Sequence, residues 1–161
     1  KRSRQSLIEM FRKLSGPRNA EETKPVSLQD ALSHIRKASP TGSLIYIISD
    51  FATIDEGLEK QLSTLRRRCD VVLIAVDDPA DQQIPPIGTI VFKDSNQSLT
   101  INTENKYGRE AYAQAWQTTR ENLHIIAKKL GIGVVSLTTD GSLHRQLVQG
   151  LRRINRWGRR S

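Results

Sequence analysis

The sequence predicts an α/β fold: a mainly parallel sheet, amphipathic helices on both of its faces, and a β-hairpin insertion. Three observations carry that prediction. Residues 44–49 and 71–76 are almost continuously apolar and rich in β-branched side chains, as strands buried on both faces are. Stretches with apolar residues at helical spacing alternate with them, which implies βαβ units and a three-layer arrangement. Residues 88–93 and 99–102 flank Asp94-Ser95-Asn96-Gln97, a turn-rich tetrad that reads as the tip of a hairpin. A third strand at 133–137 still leaves a thin sheet, so either the hairpin widens it or part of it is missing.

The elements follow in order. Leu7, Ile8, Met10, Phe11 and Leu14 mark a first helix, stopped at Ser15-Gly16-Pro17. A polar loop leads to Ser27, a cap for a helix that buries Leu28, Ala31, Leu32 and Ile35 and ends at Ser39-Pro40-Thr41-Gly42. After the strand 44–49, a helix over about 55–67 turns Leu58, Leu62 and Leu65 inward, with Asp55 or Thr53 able to cap it. Asp77-Asp78-Pro79 closes the second strand with ordinary turn chemistry. Residues 108–130 form a long helix burying Ala111, Ala115, Trp116, Leu123, Ile126, Ala127 and Leu130, with Gly131 at its C-cap position. Ser142 opens a last helix carrying Leu143, Leu147, Leu151 and Ile154.

At 161 residues the chain suits one domain with a real core. It divides into an amino-terminal helix and polar loop (1–26), a globular portion (27–156) and a basic tail (157–161). Mean hydropathy is −0.48 and no apolar run could span a bilayer. No secretory leader follows Lys1-Arg2-Ser3-Arg4, and the first residue is not Met, as expected of a cut or processed product. The single cysteine, Cys69, excludes an internal disulfide and a cysteine-built metal site, and it suits a reducing cytoplasm. The net charge of +8 is unevenly spread. Residues 1–20 hold six Lys/Arg against one Glu, residues 141–161 hold six Arg and no acid, and the middle is slightly acidic. An acidic body with basic ends is a poor phosphate cradle.

Chemistry concentrates at the strand ends. In open α/β sheets ligands bind beyond the carboxyl ends of the strands, where Ser49-Asp50 and Asp77-Asp78 fall. Converging carboxylates there suit Mg²⁺; the plainer alternative is that each acid caps the next element. There is no Gly-rich phosphate loop and no nucleophile elbow, and His34, His124 and His144 lack ligand spacing. Arg152, Arg153, Arg156, Arg159 and Arg160, with Trp157 among them, suit phosphate or partner contacts, or simply a helix end and solvated tail.

Several of these residues resemble the bacterial domain-of-unknown-function family 58. Ile47-Ile48-Ser49-Asp50-Phe51 and Arg67-Arg68-Cys69-Asp70-Val71-Val72 are similar to one of its runs. Val76-Asp77-Asp78-Pro79-Ala80-Asp81 with Ile84-Pro85 and Gly88 is similar to the next, and Asp94 with Ile101-Asn102-Thr103 to its hairpin. Tyr112, Gly131-Ile132 and Leu137-Thr138-Thr139-Asp140 complete the order, so the likeness covers roughly 28–151. It implies a von Willebrand factor A-like, Rossmann-type fold. Members of that family are often encoded beside MoxR-type AAA+ ATPases and are thought to be adaptors or chaperone partners rather than enzymes.

The resemblance also assigns the acid. Asp50 matches the third element of a metal-ion-dependent adhesion site; no DxSxS sequence is present, and Val26 falls at the threonine element with Ser27 beside it. The chain thus resembles the carboxyl-terminal portion of the domain, beginning within its second helix. Little metal affinity is expected here, and Mg²⁺ only where a DxSxS loop lies upstream. The leading expectation is a protein-interaction module acting with an AAA+ ATPase or its client. A nucleic-acid-binding domain using the basic ends is the alternative, and a metal-dependent hydrolase on Asp50, Asp77 and Asp78 a remote one. Strand 44–49 would lose a neighbour in such a portion, so it is expected to self-associate or to be covered by the first helix.

Overall fold

A computed structural model describes residues 4–15, 27–93 and 98–157. The two long apolar runs lie side by side as β1 (Leu44–Ser49) and β2 (Asp70–Asp77), parallel, with Leu44 opposite Asp70 and Ser49 opposite Ala75. On the far side of β2, β5 (Gly133–Thr138) pairs in parallel with Val72 opposite Gly133, giving the order β1-β2-β5. Helices cover both faces. On one, α2 (Leu28–Ala38), α3 (Glu56–Arg66) and α5 (Lys106–Leu130) bring Leu32, Leu58, Leu62, Leu65 and Leu123 onto Ile45, Ile47, Val71 and Leu73. On the other, α6 (Leu143–Trp157) packs Leu147, Leu151 and Ile154 against Val72, Ile74, Val135 and Leu137. Helix and sheet approach closely there: a Cβ on Gly150 would sit 2.4 Å from Val135.

Local chemistry sets the helix ends. Ser27, Asp55 and Asn105 accept hydrogen bonds from the backbone N–H groups of Asp30, Leu58 and Tyr107, satisfying donors that the first turn leaves unpaired. Gly131 closes α5 in the left-handed conformation, at φ +62°. Cys69 is buried in the core beside the Pro40 carbonyl. Asp78 caps a one-turn helix, α4 (Pro79–Gln82), where the sequence predicts a plain turn.

Four expectations change. The strand 44–49 reads as buried on both faces, yet Leu44, Tyr46 and Ile48 are 56%, 47% and 68% exposed. The reason is topological: β1 is an end strand, and α6 packs over β2 and β5. Nor does the first helix shield it, because Leu7, Ile8, Met10 and Phe11 of α1 (Arg4–Ser15) are themselves about half exposed. The hairpin does not widen the sheet; β3 (Thr89–Lys93) and β4 (Ser98–Asn102) form a separate antiparallel pair. Finally, Ala111 and Ala115 are exposed, because it is the second half of α5 that packs on the core, through Leu123 and Ala127. The tetrad 94–97 and the tail residues Arg159 and Arg160 lie outside the described residues, while Trp157, read as tail, ends α6.

Candidate functional site

The carboxyl end of β1 is a tight, self-bonded turn. Ser49 Oγ accepts from the Phe51 N–H at 3.1 Å, and Asp50 Oδ1 accepts from the Ala52 N–H at 3.3 Å. Phe51 sits at φ +47°, a conformation that costs a non-glycine residue about 1–3 kcal/mol. Its ring is 1% exposed, and that burial holds the turn in place. The turn leaves the Asp50 carboxylate facing solvent.

Beside it, α2 and α3 begin together. Gln29 Nε2 donates to both carboxylate oxygens of Asp55, at 3.0 and 2.8 Å, while Asp55 caps α3. Gly57 makes that link possible, since a Cβ there would lie 2.7 Å from the Gln29 amide nitrogen. The result is a cleft of about 340 Å³ lined by Ser27, Gln29, Ser49, Asp50, Thr53 and Asp55, among others. The structure therefore gathers Ser27, Ser49 and Asp50 around one concavity. Asp55, not Asp50, does the capping.

Asp77 and Asp78 are engaged elsewhere. Asp77 is buried, and Arg120 of α5 donates to its Oδ1 through Nε at 2.7 Å. The same guanidinium reaches the backbone carbonyls of Asp50 and Phe51 and lies 5.3 Å from the centre of the Trp116 ring. Arg120 thus ties the ends of β1 and β2 to α5 and neutralises the one buried carboxylate among the described residues. Sequence reasoning missed it; a buried acid at a strand end, needing a cation, was the available signal. Asp78 accepts from the Ala80 N–H and the Thr139 hydroxyl, each at 2.9 Å, and these bonds hold its carboxyl below the ordinary 3.8. Of the arginines, Arg152 and Arg153 are exposed on α6 and do not line the strand-end cleft.

An adhesion-type Mg²⁺ site does not fit the groups present. The Ser27 hydroxyl is committed to Asp30, accepting from its N–H at 3.1 Å and donating to its carboxylate at 2.7 Å. Asp55 is likewise committed, to the Gln29 amide and the Leu58 N–H, which leaves Asp50 with Ser49 beside it. Among the described residues no three His, Cys, Asp or Glu side chains converge on one point.

A parallel sheet sandwiched between helices, with an acidic turn at its carboxyl edge, is an open α/β arrangement, the fold that the resemblance to a von Willebrand A-like domain implies. The chain belongs to the family described as protein of unknown function DUF58, whose model matches residues 1–122. That match reaches further toward the amino end than the motifs do, and stops short of β5 and α6. An uncharacterized protein from Mycobacterium avium, MAV169, is 27% identical over 114 residues, covering 70% of this chain and 67% of that one. A mouse protein named beta-galactosidase is 30% identical over 93 residues, 58% of this chain; this chain spans only 14% of its length. Among solved structures, an aerotolerance-related membrane protein from Bacteroides fragilis superposes with a TM-score of 0.50 at 18% identity. The superposition covers 96% of this chain and 70% of that one, and it is a likeness of fold. In the present chain, no helix among the described residues is long and apolar enough to cross a membrane.

Proposed function

We propose that this chain is a protein-interaction module, not an enzyme, that partners a MoxR-type AAA+ ATPase in chaperone-like or assembly work. Its contact surface is the cleft around Asp50. One observation carries the reading: of the strand-end acids, Arg120 neutralises Asp77 and a cap engages Asp78, whereas Asp50, bonded only within its own turn, faces solvent in a concave, hydroxyl-rich surface. Such a surface suits recognition of a donor-bearing partner segment. A hydrolase using all three acids is disfavoured, because Asp77 would have to leave its buried ion pair. The choice of partner follows only from what the resemblance to that family implies, since its members are often encoded beside MoxR-type ATPases. Co-purification of the chain with the MoxR-type ATPase of its own genome, in ATP and in ADP, tests the proposal; no capture in either nucleotide would overturn it.

A second reading, nucleic-acid binding, rests on α6. Arg145, Arg152 and Arg153 are exposed and pair with no carboxylate among the described residues. It requires DNA or RNA binding that weakens steeply with salt and disappears when residues 152–161 are removed.

A further inference from the structure

We infer that the amino edge of the parallel sheet is a docking surface for an anionic lipid bilayer, lying against the headgroups with the Asp50 cleft turned away from them. This is independent of the ATPase reading.

The topology builds that surface. Helices α2, α3 and α5 finish where β1, β2 and β5 begin, and α6 runs back along β5 to finish at the same edge. Ile154 fixes the level of that last end: a Cβ on Gly133, the first residue of β5, would lie 2.7 Å from its side chain. The connecting loops are bonded to one another across the edge. The Gly42 N–H donates to the Arg68 carbonyl at 2.7 Å, and Arg66 Nε donates to the Gly131 carbonyl at 3.4 Å.

Each of these ends is basic. Lys37 closes α2, Arg67 and Arg68 follow α3, Lys128 lies in the last turn of α5, and Arg152 and Arg153 precede Ile154 on α6. All six side chains are exposed, and none pairs with a carboxylate among the described residues. The acid that borders them, Asp70, is already held by Arg66 at 3.0 Å. A cation at each helix end complements the carbonyls of the last turn. What the dipoles do not require is that four such ends converge, and here they add up to one cationic face.

The opposite edge carries acids. Asp50 and Asp78 follow the ends of β1 and β2, and Asp55 and Glu56 stand at the start of α3. A planar anionic surface therefore attracts one end of the molecule and repels the other, which sets its orientation. The cations also come from both helical layers and from the loops between them, so they spread over a broad end and not along a groove. That breadth suits a headgroup layer better than a single nucleic-acid strand. Lys128, Arg152 and Arg153 belong to elements that lead into or cover β5, on the other side of β2 from β1. Strands added beyond β1 by a longer chain would leave them in place.

Flotation of the 161-residue chain with lipid vesicles tests this. Vesicles of phosphatidylcholine with phosphatidylserine should carry the chain in low salt and release it in high salt, and vesicles of phosphatidylcholine alone should not carry it. Each cation removed should weaken partitioning about fivefold. Arg152→Gln with Arg153→Gln and, separately, Arg67→Gln with Lys128→Gln should thus each cost about 25-fold. Thermal unfolding should not change, because these side chains lie outside the core. Arg145→Gln, on the same α6 but near the acidic edge, should leave partitioning nearly unchanged. No binding to the anionic vesicles, equal binding to neutral ones, or a loss confined to the α6 pair would each overturn the inference. So would a large loss with Arg145→Gln, which would place the contact along α6. Tighter binding to duplex DNA than to anionic vesicles at equal phosphate concentration, lost with the same pairs, would assign the surface to a nucleic acid instead.

Discussion

Arg120 reaches from α5 to the ends of two strands and meets there a carboxylate and two main-chain carbonyls. Removing one member of a buried ion pair leaves the other uncompensated, so Arg120→Ala should cost about 3–5 kcal/mol in urea unfolding. Replacing both members together, with Asp77→Leu and Arg120→Met, should recover most of that loss. An Arg120→Ala cost below about 1 kcal/mol would match an exposed pair instead. Asp78 makes a different prediction. Its folded carboxyl is held below 3.8 by the Ala80 N–H and the Thr139 hydroxyl, so its stabilising contribution is complete above that pH. The contribution is lost as pH falls through the folded value. Asp78→Asn should therefore flatten that part of the acid limb of a stability profile, and an unchanged limb would refute the assignment. Asp50 and Ser27 were legible in the sequence, one as an acid closing an apolar run, the other as a cap. Arg120 was not, because it lies 43 residues from Asp77 and no local pattern joins them.

At the scale of elements, α6 depends on a close approach to β5. Alanine favours a helix interior over glycine by about 1 kcal/mol, so on propensity alone Gly150→Ala should stabilise. The new Cβ would meet Val135 at 2.4 Å, however, inside the packed face. Overpacking of that kind costs about 1–3 kcal/mol, and the net effect expected in thermal unfolding is destabilising. A rise in Tm would show that α6 can move away freely. Element types and most boundaries were readable because apolar spacing and capping residues agreed, as at Ser27 and Gly131. What misled was neighbourhood. An apolar run such as 44–49 looks the same whether helices cover both faces or one, and Ala111 and Ala115 carry the helical period whether or not anything packs against them. Strand order and cover are long-range facts, and a run of local side chains does not encode them.

For the whole molecule, sign and placement of charge decide between partners. The basic residues gather toward the two ends of a slightly acidic body, and the Asp50 cleft lies at the carboxyl edge of the sheet. A protein partner read at that cleft and a polyanion read by α6 therefore make separable demands on the sequence. Kinship with DUF58 and the von Willebrand A-like fold were legible from the ordered motifs between Ile47 and Asp140. The proposed adaptor role rests on the one solvent-facing acid of the strand-end cleft turn, Asp50, and is tested most directly by titrating the MoxR-type ATPase into the chain in a calorimeter. The account predicts saturable binding that Asp50→Lys abolishes and that removal of residues 152–161 leaves intact. Binding that survives Asp50→Lys but vanishes with residues 152–161, or no heat in any nucleotide state, would contradict it.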